Sequence, residues 1–316
     1  MVAMTAPDPR FAGLSCYTSN LAGYQAGEFA DTPDRFADSV RVAVRTDLPE
    51  GQLAFSHHRV PLHRLPDGTR LAWATAGPDG VVDRVDAELR RHGRVLVVTD
   101  NAALPWSPSA DGTGHAPHWL LLDDRRGDDW HVVDGFSGLL PAGEQEPYAG
   151  WLGTAGLLAA MTPPPTWHPE QDRRNALAFG FWLPPPGGAQ PHWLARTDGA
   201  GDEPGLPGDW LLDEGEALEF LCEHVVAHPE AAGSHLDDLW AVAQHRTFRY
   251  RHLGDDEAVR AWADLPRALR FAVESARRGR PRPALVRTTF DHLRHLERDR
   301  STTPTPAAVR PHRQTL

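Results

Sequence analysis

The chain has 316 residues and a net charge of −11, from 32 basic and 43 acidic residues, and every basic residue is arginine. That balance argues against general nucleic-acid binding, which needs a basic footprint, and it removes lysine from any catalytic role. With 41% hydrophobic and 24% charged residues the composition is globular, and the length fits one large or two unequal domains.

No apolar run approaches the ~18–20 residues of a membrane span. MVAMTAPDPRFAG shows neither the basic nor the apolar region of a secretory signal. Two cysteines, Cys16 and Cys222, make no disulfide framework. A cytoplasmic protein is expected.

In chain order, the first dozen residues read as loose. Residues 16–26 read as a helix with Ser15 as its N-cap and Gly27 as its stop. Residues 34–46 can be helical. Strands are expected near 52–56 and 69–75, then a helix over 81–92 ended by Gly93. The run RVLVVTD (94–100) reads as a buried strand. Strands follow at 117–124 and 130–136, joined by RRGDD as a hairpin turn. A helix followed much later by antiparallel strands is an α+β order, not alternating βαβ.

Strand character fades over 141–170, and the Pro-rich runs MTPPPTWHPE and LPPPGGAQP mark a boundary. Helices are expected at 214–228, 234–252, 255–278 and 283–298. Leu236, Leu239, Trp240, Ala243 and Thr247 share one face of the second. Pro266 predicts a kink or a division in the third. The Ser/Thr/Pro-rich tail after Arg300 reads as disordered.

Cys16 is the first chemical candidate. A thiol at a helix N-terminus faces unpaired N–H groups and the positive end of the dipole, which favour thiolate. The same N–H groups can hold an oxyanion. A thiol nucleophile also needs a base and a group to orient it. His118 opens one hairpin strand and Asp134 ends the other, so a turn at 125–129 brings them to the same end of the ribbon. His115 and His131 compete for the base role, but His131 lies three residues before Asp134 and so faces the other way. Asp100 and Asn101, after a buried strand, read equally as substrate-facing groups or turn residues. Trp106 can line an acyl pocket or pack its loop. His57, His58 and His63 lack the further ligands at fixed spacing that a metal site requires, so no metal is expected. Cys222, mid-helix, reads as core.

The stretches CYTSNLAGYQAG, RRHGRVLVVTDNAALPW and HAPHWLLLDDRRGDDWHVVDGF, with an all-helical C-terminal third, resemble the papain-like fold in its peptidase C39-like branch. The resemblance is closest to the butirosin-biosynthesis acyltransferase family. It implies a papain-like catalytic domain over 1–160, a Pro-rich connection over 161–210, a helical domain over 211–300 and a disordered tail over 301–316. It implies acyl transfer by Cys16, His118 and Asp134, from a phosphopantetheine thioester on an acyl carrier protein to a small-molecule amine. No cofactor, nucleic acid or membrane enters this reading. An acidic carrier would meet arginines such as those at 276–283 or 90–94.

This chain lacks the Gln that papain-like peptidases carry shortly before the cysteine, and the family's Gly-rich segment after the first helix is replaced by ADSVRVAVRTDLPEGQLAF. The Cys16 N–H can serve as one oxyanion donor. The second stays unassigned, with Ser15 and Asn20 nearby. The alternatives are a thioesterase or peptidase using the same triad, and a non-catalytic partner-binding scaffold.

Overall fold

The computed structural model describes residues 6–302 except 50, 111–113, 141–142, 165, 189, 200 and 202–204. It is a mixed α+β protein with antiparallel sheets and a helical C-terminal region. Helix α1 (Cys16–Ala26) is followed by α2 (Thr32–Ser39), β1 (Val40–Arg45), β2 (Ala54–His58), β3 (Arg70–Thr75), α3 (Pro78–His92) and β4 (Val95–Asp100). The hairpin β5 (Pro117–Arg126) and β6 (Asp129–Asp134) leads to β7 (Gly138–Leu140), β8 (Gly143–Gln145) and β9 (Tyr148–Gly153). Then come α4 (Thr154–Met161), α5 (Pro169–Ala176), β10 (His192–Thr197) and β11 (Trp210–Leu211). The chain closes with α6 (Glu214–Ala227), α7 (Leu236–Leu253), α8 (Asp256–Arg277) and α9 (Pro283–Thr302).

The principal sheet has the order β3-β10-β4-β5-β6-β9, antiparallel throughout. Its central strands are apolar on both faces because both are covered. Leu96, Val98, Trp119, Leu121 and Val133 join Leu21 and Ala22 of α1 in one core. The alternate residues Val95, Val97, Leu120, Leu122 and Val132 join Val81, Val85 and Leu89 of α3 and Leu157 of α4 in another. This period-two alternation turns one continuous run such as WLLL into two half-cores.

A second sheet, β11-β1-β2, carries the helical third. Val42, Val44, Leu53 and Phe55 pack into one cluster with residues from α6 to α9. Residues 34–46, expected as one helix, divide at Ser39. VRVAVR sets valine at every second position, with Arg41, Ala43 and Arg45 between, which suits a strand.

The stretch 161–210, expected as a connection, contributes to the main core. Its strand β10 lies between β3 and β4, and Leu194, Ala178 and Phe179 belong to the α1-side core. The Pro-rich runs flank this strand rather than ending a domain: proline cannot donate to a ladder, so it sits outside the paired residues. Strand β9 and helix α4 occupy part of 141–170, where no strand was legible. Helix α8 runs as one element from Asp256 to Arg277 with Pro266 inside it. Residues 301–302 continue α9, and the remainder of the expected disordered tail lies outside the described residues.

Phe179 is fully buried, with its ring near those of Trp73 and Trp119. Phe179→Ala is expected to cost about 3–5 kcal/mol in chemical denaturation; a residue in a mere connection would leave the midpoint unchanged.

Candidate active site

Cys16 is the first residue of α1 and is half-buried. Ser15 caps the helix: its Oγ accepts from the Thr18 N–H at 3.4 Å. The first N–H groups of a helix have no carbonyl one turn back, so the Cys16 end of α1 keeps donors available. Tyr17 fixes the helix against β5, its ring edge-on to Trp119 with centroids 5.4 Å apart.

His118 and Asp134 meet across the β5–β6 hairpin: His118 Nε2 lies 2.8 Å from Asp134 Oδ2. The register explains how. Near the turn Arg126 pairs with Asp129 and Asp124 with His131, but further on Leu122 pairs with Val132 and Leu121 with Val133. One extra residue, Asp123, is therefore accommodated on β5. A one-residue slip exchanges the faces of a strand. Without the extra residue Asp134 would pair with Leu121 and point away from the His118 face. With the shift, Asp134 falls beside Leu120, diagonal to His118 on the same face. Asp123 Oδ1 is bound to His131 Nδ1 at 2.6 Å, which pins the bulge and takes His131 out of the base role.

Asp134 is fully buried and its carboxylate is saturated. Oδ2 accepts from Trp106 Nε1 and Gln145 Nε2, each at 2.9 Å, besides its contact with His118. Oδ1 accepts from the Phe136 N–H at 3.1 Å and Asn20 Nδ2 at 3.3 Å. Burial raises its pKa, but the His118 charge and these hydrogen bonds outweigh burial and hold it below the usual carboxylate range. Burial would depress His118. The Asp134 carboxylate, and after it the Cys16 charge, instead raise it well above the ordinary histidine value. The Cys16 charge thus acts on the His118 imidazole, and both side chains line one cavity.

Asn20 lies one turn after Cys16, on the same face of α1. Its Nδ2 donates to the Trp119 carbonyl at 2.7 Å and the Cys16 carbonyl at 3.1 Å, and its Oδ1 accepts from the Gly135 N–H at 2.8 Å. It is buried and fully engaged in positioning, so it is no free oxyanion donor. Trp106, expected to line a pocket or pack its loop, gives its indole N–H to Asp134 and stacks on Tyr148 with centroids 4.1 Å apart. Asp100 caps the short turn at 101–103 through the Ala102 N–H and binds His115 Nδ1. Asn101 Oδ1 accepts from the Ala116 N–H at 2.8 Å. His115 is therefore held by Asp100, away from Asp134.

A cavity of about 160 Å³ opens beside the dyad. Ser15, Cys16, His118 and Asn101 line it; Asp100, Trp106 and His115 do not. Phe55, Phe136, Leu177 and Trp240 supply much of its apolar wall. Arg174, also at the wall, is bound to Asp238 through Nε–Oδ1 at 2.5 Å and Nη2–Oδ2 at 3.0 Å. Trp240 had a sequence signal, as part of the apolar face of its helix. Gln145 had none, because its strand lies where strand character fades.

His57 lines the cavity and packs on His245 at 4.6 Å between centroids, while His58 is bonded to Ser39 and Thr18. Among the described residues no group of His, Cys, Asp or Glu is arranged to hold a metal ion. No helix among them is long and apolar enough to cross a membrane. Comparison with known families and with curated proteins finds no family model and no protein that matches this chain.

Two outcomes follow from this geometry. The raised His118 lends stability that is fully present below pH 6.5 and is lost as pH climbs through its folded value. The lowered Asp134 lends stability present above pH 3.8 and lost as pH falls through its folded value. Ring NMR should show His118 still protonated well above pH 6.5. Asp134→Asn should bring that titration down, since burial then acts with less opposition; an unmoved titration would exclude Asp134 as the cause. Separately, deletion of Asp123 should keep the sheet signal in circular dichroism while the His118 titration falls as it does in Asp134→Asn.

Proposed function

We propose that the chain is a cysteine-dependent acyltransferase with a papain-like arrangement of Cys16, His118 and Asp134, moving an acyl group from a carrier-protein thioester to an amine. The observation that supports this reading is that the half-buried Cys16 and a His118 held by a buried carboxylate line the same cavity. The Cys16 thiolate attacks the thioester carbonyl and forms a C–S bond. The tetrahedral oxyanion lies at the N-terminus of α1, with the Cys16 N–H as donor. Collapse breaks the bond to the carrier sulfur, and His118 gives that sulfur its proton. An amine then attacks the acyl-Cys16 carbonyl while His118 takes the amine proton. Expulsion of the Cys16 thiolate releases the amide and restores the starting charges. Asp134 keeps the His118 ring oriented and favours its charged form through both halves.

Phosphopantetheine enters as the arm of the donor, and the reaction as written uses no metal or redox group. Thioester hydrolysis uses the same residues with water in place of the amine. Of the two arginine stretches suggested for an acidic carrier, 90–94 is partly engaged: Arg90 pairs with Asp86 at 2.6 Å, and Arg94 donates to the Tyr24 carbonyl at 2.9 Å. In 276–283, Arg278 makes only an exposed pair with Glu274 at 3.6 Å.

Intact-mass measurement after incubation with acyl-carrier thioesters is expected to show an acyl adduct, absent in Cys16→Ala. With an amine present, amide product supports transfer and free acid alone supports hydrolysis. No adduct with any thioester, and unchanged pathway function in Cys16→Ala, would leave the scaffold reading.

A further inference from the structure

A second concavity, a groove of about 1170 Å³, shares no lining residue with the cavity at Cys16. His57 lines the cavity, and Arg59, two residues on, lines the groove; on α7, Ala241 lines the cavity and Arg246 the groove. Part of the groove's charge is internally balanced. Arg246 is bound by Glu214 and Glu297, and Arg300 by Asp255.

Three other arginines are held differently. Arg41 of β1 donates to Ser56 Oγ at 2.7 Å and the Gly180 carbonyl at 3.1 Å, and no carboxylate among the described residues forms an ion pair with it. Arg59 donates to the Val40 carbonyl at 2.9 Å, with Glu214 at a distant 3.8 Å. Arg249 of α7 donates to the Ala37 carbonyl at 2.7 Å; its acid, Asp38, lies 3.7 Å away and is 79% exposed. Neutral acceptors orient a guanidinium without cancelling its charge. Arg59 opposes the other two: burial, then Arg59, pushes Arg41 down to about 10, and burial, then Arg246 and Arg59, lowers Arg249. Oriented and incompletely neutralised arginines around one concavity match the oxygens of a phosphate, which accept from several forks at once.

We propose that this groove binds the phosphate groups of a small phosphorylated molecule, with Arg41, Arg59 and Arg249 as the principal contacts and Arg298 of α9 at the rim. Leu212 and Leu253, exposed side chains on the groove wall, offer apolar surface to the rest of that molecule. Concavity favours a small ligand over an acidic protein, which needs a broader surface. Residues 303–316 carry Arg310 and Arg313 and no acidic side chain. The proposal is independent of the chemistry assigned to Cys16.

Calorimetric titration of the full chain with inorganic pyrophosphate at low salt tests it. Saturable binding is expected, weakened at least about tenfold in Arg59→Gln/Arg249→Gln, weakened less in the rim variant Arg298→Gln and unchanged in Arg278→Gln. Circular dichroism and Tm check that each variant is folded. If the double variant fails to fold, Arg59→Gln decides, with a loss of affinity greater than that of Arg298→Gln. No binding of pyrophosphate, equal affinity in the folded groove variants, or binding of a polyglutamate peptide without binding of pyrophosphate would overturn the proposal.

Discussion

The Asp134 carboxylate is the constraint around which this molecule is arranged. An ionised carboxylate removed from water costs several kcal/mol unless its oxygens are satisfied. Here the donors come from α1 through Asn20, from β5 through His118, from the loop after β4 through Trp106, from β8 through Gln145, and from the backbone at Phe136. Each element must be in place for the charge to be tolerated. The site is therefore also a test of the fold: displacement of any one element leaves a buried charge with fewer partners.

Asn20 extends that constraint to the thiol. It shares a helix face with Cys16 and is tied to the Trp119 carbonyl and the Gly135 N–H on either side of the dyad. The rotation of α1 about its axis, and with it the direction of Cys16, is set by the same hydrogen bonds that help hold Asp134. The bulge at Asp123 performs the corresponding task on the hairpin. It costs one irregular step in the ladder and brings Asp134 onto the face of His118. Strand register shifts only in whole residues, and the rotation of α1 is tied by hydrogen bonds at both ends of Asn20, so elements of regular structure position the dyad and the thiol.

Much of this arrangement was legible in local sequence patterns. The capped start of α1, the hairpin, and the proximity of His118 to Asp134 follow from a capping residue, a short polar turn and chain distance. The bulge was not legible, because no residue pattern distinguishes an extra strand residue from a paired one. The placement of β10 was also hidden: HWLART lies between proline runs in a stretch expected as a connection, and only long-range pairing with β3 and β4 shows that it completes the sheet. Asn20 and Trp106 were noticed without their role being legible. Both stand near the thiol or the strand end, but their polar atoms are spent on Asp134 and the backbone and not on a substrate.

Charge was the least legible property, since every basic residue is arginine. Composition alone gives each the same weight, and only its partner separates one role from another. Arg174, Arg246 and Arg300 meet carboxylates at hydrogen-bond distance and act as internal ties. Such pairs contribute geometry more than net charge, because each guanidinium is cancelled locally. Arg41, Arg59 and Arg249 are anchored mainly by carbonyl and hydroxyl oxygens, which fix direction and leave the charge standing. A chain with a net charge of −11 has carboxylates in excess, yet Arg59 and Arg249 meet theirs only at 3.8 and 3.7 Å, and Arg41 forms no ion pair among the described residues. Their partial isolation is thus a property of the fold and not of the composition, and it gives one groove on an acidic protein a cationic lining.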